Sequence, residues 1–262
     1  MESNLGTIGQ ASAAPLIEGS LAIAEVSVIL PVYNEQTCIE KTFDAVLEYS
    51  RSHPSYHFLF VNDGSIDWTK PFLQSRINAA GRKEIQLLSY DCHAGKGYAI
   101  KRGLVHAQGD YVCYIDSDLA YSLDHLELLI AALQQFDIAI GCRRLIREQR
   151  LSLSRRLVGR VFNLLSRGWL DLPYRDTQAG LKGFRREAMK VLFSKQTMNG
   201  FSFDVELIYI AKKCGYTIAE IPAIVSKEHQ RKRSQVNLVS NSLEMLCDLL
   251  TIRFNDRDGK YD

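Results

Sequence analysis

The chain has 262 residues, 46% of them hydrophobic, and a formal net charge of +2. That is enough apolar material for one large α/β domain or two small ones, and the near-neutral balance gives no ground for a nucleic-acid partner. The six cysteines are scattered without a Cys-x-x-Cys pair, which argues against a zinc or disulfide framework and fits a reducing cytoplasm.

Residues 1–24 are rich in Ser, Ala and Gly and lack a basic stretch followed by an apolar one. They read as a disordered lead-in rather than a signal peptide. No run approaches the ~18 consecutive apolar residues of a transmembrane helix, so any membrane contact is expected to be peripheral. Val26–Pro31 is an apolar run stopped by proline, the pattern of a buried parallel strand. Pro31-Val32-Tyr33-Asn34-Glu35 forms its exit loop, and Ile39, Phe43, Val46 and Leu47 give the spacing of a helix. Tyr56–Val61 is a second strand, followed by the turn Asn62-Asp63-Gly64-Ser65-Ile66-Asp67, rich in helix-cap residues. A helix to about Asn78 and a strand at Ile85–Ser89 come next.

Gly95-Lys96-Gly97 opens another helix. Its glycines either make a plain turn or let the backbone approach a phosphate closely; the P-loop pattern Gly-x-x-x-x-Gly-Lys-Ser/Thr is absent. Tyr111-Val112-Cys113-Tyr114-Ile115 is a strand that ends on Asp116-Ser117-Asp118. Two carboxylates there either cap the next helix or supply hard oxygen donors to Mg²⁺ or Mn²⁺ shared with substrate phosphates. A helix over Leu123–Phe136 and a strand at Ile138–Gly141 continue the alternation. Alternating strands and helices predict a parallel sheet with its binding crevice at the strand ends, where Asn34-Glu35, Asn62-Asp63 and Asp116-Ser117-Asp118 converge.

From Gly141 to Arg167 there are eight arginines, at 143, 144, 147, 150, 155, 156, 160 and 167, against one acid, Glu148. Residues 151–170 read as an amphipathic helix, either packed with a solvated face or lying in a membrane interface with its arginines on anionic headgroups. Asp171–Phe184 has the polar and glycine density of a site loop. A helix from Phe203 to Lys213, a strand around Ile218–Pro222, a basic run at Lys227–Arg233 and an amphipathic helix at Leu238–Arg253 follow; the charged tail after Phe254 reads as frayed.

Taken together, these residues resemble family 2 glycosyltransferases, and within them the polyprenyl (dolichyl) phosphate sugar transferases. The signs are Leu30-Pro31-Val32-Tyr33-Asn34-Glu35, Val61-Asn62-Asp63-Gly64-Ser65-Ile66-Asp67, Gly95-Lys96-Gly97 and Asp116-Ser117-Asp118, in order. Asp176-Thr177-Gln178-x-Gly180-x-Lys182-x-Phe184, then Phe203-Asp204-Val205-Glu206, is more similar to dolichyl-phosphate β-glucosyltransferases than to the mannosyltransferases, which usually read Asp-Pro-Thr-Ser-Gly-Phe there. Where the family has Gly-Ser-Lys near the C-terminus, this chain has Arg233-Ser234-Gln235, leaving Lys232 or Arg233 to take the lysine's place.

The resemblance implies a GT-A fold, a Rossmann-like, mostly parallel sheet flanked by helices. The expected division is 25–235 for this domain and 236–262 for a C-terminal amphipathic helix and tail. It also implies an inverting, metal-dependent hexosyl transfer from a nucleotide sugar, UDP-glucose first and GDP-mannose second, to a polyprenyl phosphate at the cytoplasmic face of a membrane. Pro31, Tyr33 and Glu35 would frame the nucleoside, Asp63 would bond the base, and Lys96 would approach the base or diphosphate. Asp116 and Asp118 would secure the ribose and the Mg²⁺ or Mn²⁺, with Asp118 counted among the catalytic residues. Arg143, Arg156 and Arg160 would meet the acceptor phosphate beside Gln178, and Asp176 takes the family position of a catalytic base. A membrane subunit or a second copy of the chain is a further expected partner. The rival expectations are a family 2 enzyme acting on a saccharide or glycolipid hydroxyl, and a non-catalytic nucleotide-sugar-binding protein at a membrane.

Overall fold

The structure, a computed structural model, describes residues 25–146, 164, 166–226 and 238–262. The elements run β1 (Val26–Val32), α1 (Ile39–Ser52), β2 (Tyr56–Asp63), α2 (Thr69–Ala80), β3 (Ile85–Tyr90), α3 (Lys96–Leu104), β4 (Tyr111–Ile115), α4 (His125–Leu133) and β5 (Ile138–Cys142). A single 3-10 turn follows at Arg143–Leu145, then β6 (Leu181–Arg185), α5 (Arg186–Lys195), α6 (Phe203–Lys213), β7 (Ile218–Pro222) and α7 (Leu238–Arg257).

Seven strands make one sheet in the order β3-β2-β1-β4-β6-β5-β7. β1 lies parallel between β2 and β4, with Val26 opposite both Tyr56 and Tyr111. Its residues alternate between two cores, so the sheet is covered on both faces as parallel sheets require. Val26, Val28, Leu30 and Val32 join Phe43, Phe58 and Phe60 in one core, whereas Ile29 joins α3, α5 and α6 in the other. The chain leaves β1 toward β2 and β3, then returns to place β4 on the other side of β1. The order therefore reverses at the carboxyl ends of β1 and β4, where open α/β sheets bind ligands.

Two elements depart from the sequence reading. The stretch read as part of a site loop contains β6, which runs antiparallel between β4 and β5. Its sequence, Leu-Lys-Gly-Phe-Arg, hides the strand because Lys182 looks solvent-facing, yet it is fully buried. The tail after Phe254 is docked, not frayed. α7 continues to Arg257, Tyr261 is 1% exposed, and its hydroxyl donates to Glu206 at 2.7 Å. A tyrosine that both fills a core and satisfies a buried carboxylate outweighs the charge around it. No helix among the described residues is long and apolar enough to cross a membrane.

Candidate active site

The exit loops of β1 and β2 are laced together. Asn34, in the left-handed region at φ 54°, accepts the Ile66 N–H at 2.9 Å, and the Gln36 N–H donates to Asp67 at 3.1 Å. A non-glycine residue held at positive φ marks a loop that its surroundings over-determine. Pro31 is paired within β1, one residue before its end, Glu35 accepts the Cys38 thiol at 2.9 Å at the start of α1, and Tyr33 stands exposed on the edge. The Tyr33 ring stacks on His93, centroids 3.8 Å apart and planes 20° from parallel.

Asp63 is the last residue of β2 rather than part of a turn. It is buried, and its two carboxylate oxygens accept the Ala94 and Gly95 N–H groups at 2.8 and 2.9 Å. The residue expected to bond a base thus also fixes the loop before α3. His93 Nδ1 lies 2.9 Å from the same carboxylate.

The glycines of Gly95-Lys96-Gly97 serve the protein's own packing. A Cβ at Gly95 would fall 2.5 Å from the Asn199 carbonyl oxygen, and one at Gly97 would fall 2.8 Å from that of Met198. The Asn199 carbonyl accepts the Gly97 N–H at 2.7 Å and the Tyr98 N–H at 3.3 Å. These donors at the start of α3 are therefore satisfied by residues 198–200, not held open for a phosphate.

Lys96 itself points to the crevice. Its ammonium sits 2.6 Å from Asp116 and 3.8 Å from Asp204. Asp204 is buried at the start of α6 and also receives the Tyr114 hydroxyl and the ammonium of Lys182, which donates to the Ala179 carbonyl at 2.7 Å. Burial pushes the Lys182 ammonium below its ordinary value, against the pull of Asp204. Lys96 is pushed down by burial too, but Asp116 and Asp204 outweigh that and raise it. Asp116 is raised, by burial first and then by Asp118 and Asp204, with Lys96 opposing. Two ammonium groups thus meet three carboxylates at this edge, a balance that favours a further cation.

Asp116 stands against Gly180, whose Cβ would lie 1.8 Å from its Oδ2, and its N–H donates to the Gly180 carbonyl at 3.0 Å. After it, Leu119 adopts φ 47° and the Ala120 N–H donates to Asp118 Oδ1 at 3.0 Å. Asp118 is thus both a local cap and a half-buried carboxylate beside Asp116. Among the described residues no group of three or more His, Cys, Asp or Glu gathers around one point. Hard oxygen donors at residues 116 and 118 fit Mg²⁺ or Mn²⁺ if the diphosphate completes the shell, as such ions are commonly held.

On the far side of β4, Arg143 follows β5 and forks onto Asp176: Nε to Oδ2 at 2.6 Å and Nη2 to Oδ1 at 2.8 Å, with the Arg143 backbone N–H at 3.1 Å. Burial alone would raise the Asp176 carboxyl, but Arg143 outweighs it and holds it below the usual carboxylate range. Glu220 of β7 accepts the Arg175 and Asp176 N–H groups at 2.6 and 3.3 Å and so fixes that loop. Gln178 is half-buried in the same loop. Arg156, Arg160, Lys232, Arg233 and Gln235 lie outside the described residues, as does most of 151–170, the stretch expected to be an amphipathic helix.

From the sequence, Asn34-Glu35, Asn62-Asp63 and Asp116-Ser117-Asp118 were expected at one edge of the sheet, and the family resemblance added roles for Tyr33, Lys96, Arg143 and Asp176. Lys182, Gly180 and Asp204 stood there only within motifs, with no role of their own. The signal for Lys182 and Asp204 was that each charge interrupts an otherwise buried pattern in β6 and α6.

Residues 27–193 match the model of the family described as Glycosyl transferase family 2. A dolichyl-phosphate beta-glucosyltransferase of Homo sapiens is 30% identical, over 98% of this chain and 83% of its own length. Glycosyltransferase AglD of Haloferax volcanii is 33% identical over 86% of this chain, which spans only 36% of that protein. Among solved structures, glucosyl-3-phosphoglycerate synthase from Mycobacterium tuberculosis in complex with uridine-diphosphate superposes with a TM-score of 0.65 at 22% identity, covering 87% of this chain and 80% of that one. The same enzyme has been crystallised with Mn²⁺, uridine-diphosphate and glucosyl-3-phosphoglycerate.

Proposed function

Because this chain belongs to glycosyl transferase family 2, we propose that it moves glucose from UDP-glucose to a dolichyl or other polyprenyl phosphate, with inversion, at the cytoplasmic face of a membrane. The observation that carries the acceptor class is the Arg143–Asp176 fork. A hydroxyl acceptor needs a base to take its proton, and a carboxylate held low by a guanidinium is a weak one. A phosphate monoester, with a second pKa of about 6, is largely a dianion at neutral pH and needs positioning instead. Arg143 retains guanidinium N–H groups beyond the two on Asp176, and a planar fork suits phosphate. The name of the human relative supports the same acceptor and sugar.

On the donor side, Tyr33 offers a ring face to the base and Asp63 a carboxylate to its N–H. Lys96 reaches from α3 to Asp116 and stands where it can meet the diphosphate. Asp204 holds Lys96 and Lys182 together and so fixes the direction of the Lys96 ammonium. Asp116 and Asp118 would hold Mg²⁺ or Mn²⁺, which supplies charge neutralisation for the departing diphosphate. Arg156 and Arg160, outside the described residues, would be further contacts for the acceptor phosphate together with Arg143 and Gln178. Exposed Trp169 and Phe254, flanked by Arg253, add apolar and cationic surface of the kind that lies on a bilayer.

A thermal-shift panel of UDP- and GDP-sugars with and without Mn²⁺ tests the donor. Stabilisation by UDP-glucose that grows with Mn²⁺ is expected, because a ligand that binds only the folded state raises the melting temperature. Stabilisation by GDP-mannose alone would overturn the choice of donor.

A further inference from the structure

The nucleoside edge contains a ring that the proposed function does not use. His93 stacks face to face on Tyr33 at 3.8 Å, the distance at which a nucleobase would stack, so no third ring fits between them. Its Nδ1 lies 2.9 Å from the Asp63 carboxylate, the acceptor that a base N–H would use. His93 therefore makes both contacts expected of the base: a stack on Tyr33 and a bond to Asp63. We infer that the His93 imidazole and the donor's base compete for one slot, and that donor binding turns the imidazole out. This inference rests on the nucleoside reading of Tyr33 and Asp63 given above.

The surroundings allow the ring to leave while the chain stays. The backbone at residue 93 is pinned, since Gly64 packs so closely that a Cβ there would lie 2.6 Å from the His93 nitrogen. Asp63 fixes the next two residues through the Ala94 and Gly95 N–H groups. The His93 side chain, by contrast, is 48% exposed, and its remaining polar contact is the Asp63 carbonyl at 3.3 Å. A rotation about χ1 moves the imidazole into solvent without moving α3 or Lys96. The apparent affinity for nucleotide is then lowered by the fraction of molecules whose slot is filled by His93.

The test is isothermal titration of UDP, and in parallel GDP, in Mn²⁺ buffer into wild type, His93→Ala and Tyr33→Ala. For the nucleotide that binds wild type, His93→Ala should bind it about threefold to tenfold more tightly, the scale of one aromatic stack and one hydrogen bond no longer competing. Tyr33→Ala should bind it more weakly. Equal or weaker binding by His93→Ala, with Tyr33→Ala also weakened, would overturn the competition while leaving the nucleoside reading in place, because His93 would then be a wall of the site. Binding that Tyr33→Ala does not change, or no binding by wild type and His93→Ala alike, would overturn the nucleoside reading and this inference with it.

Discussion

Arg143 and Asp176 are joined by three hydrogen bonds, two from the guanidinium and one from the Arg143 backbone N–H. Asp176 is 3% exposed, so the pair has structural and functional consequences that can be separated. Arg143→Ala leaves a buried charge without its partner and should cost about 3 kcal/mol of stability. Arg143→Met/Asp176→Asn removes both charges and should recover most of that loss in a denaturant melt. Neither variant should regain affinity for the lipid phosphate, so its KM stays high in both while the KM for UDP-glucose changes little. An equal rise in both KM values would remove Arg143 from the acceptor side.

The same pair sets a pH dependence. Because the folded Asp176 carboxyl is held below its ordinary value, the folded protein binds fewer protons there than the unfolded chain. Its contribution is fully present above the ordinary Asp range near pH 4 and is lost as pH falls through the depressed value. Wild type should lose melting temperature more steeply than Arg143→Met/Asp176→Asn as pH drops below about 4, which a melt series at fixed ionic strength measures.

Gly180 tests the placement of Asp116. A methyl there would meet the Asp116 carboxylate at 1.8 Å, and the backbone of residue 180 is bonded to Asp116 as well. Gly180→Ala should displace that carboxylate and lower transfer on the order of a hundredfold, as small misplacements of reacting groups do. Circular dichroism should stay native, and stabilisation by UDP with Mn²⁺ should vanish. Asp118→Ala should likewise abolish metal-dependent transfer with the fold intact.

The C-terminal tail reaches the site through Glu206. This buried carboxylate accepts the Tyr261 hydroxyl at 2.7 Å together with the Thr197 and Met198 N–H groups at 3.0 and 2.9 Å, and the next residue in that loop, Asn199, caps α3. Tyr261→Phe removes one hydrogen bond to a charged, buried acceptor and should cost about 2 kcal/mol, read as a lower denaturant midpoint. A frayed tail would show no change.

Much of the framework was readable because its physics is local. The runs at Val26–Pro31 and Tyr111–Ile115 have the apolar pattern of buried strands, and the alternation of strands and helices put the aspartates after the second at the sheet's ligand edge. What escaped was long-range compensation. Lys182 looks like a surface lysine until Asp204, 22 residues later, is placed beside it. The glycines at 95 and 97 could be a plain turn or a phosphate approach until residues 198–200 arrive to fill the space. β6 was hidden by the same lysine, and the docked tail by the charges around Tyr261.

The most direct measurement of the central claim is transfer from UDP-[¹⁴C]glucose in Mn²⁺ buffer, with dolichyl phosphate in detergent and saccharide acceptors offered side by side. An organic-extractable, acid-labile glucosyl lipid should form with dolichyl phosphate and be lost in Arg143→Ala. Label appearing only on a saccharide hydroxyl, with dolichyl phosphate untouched, would contradict it.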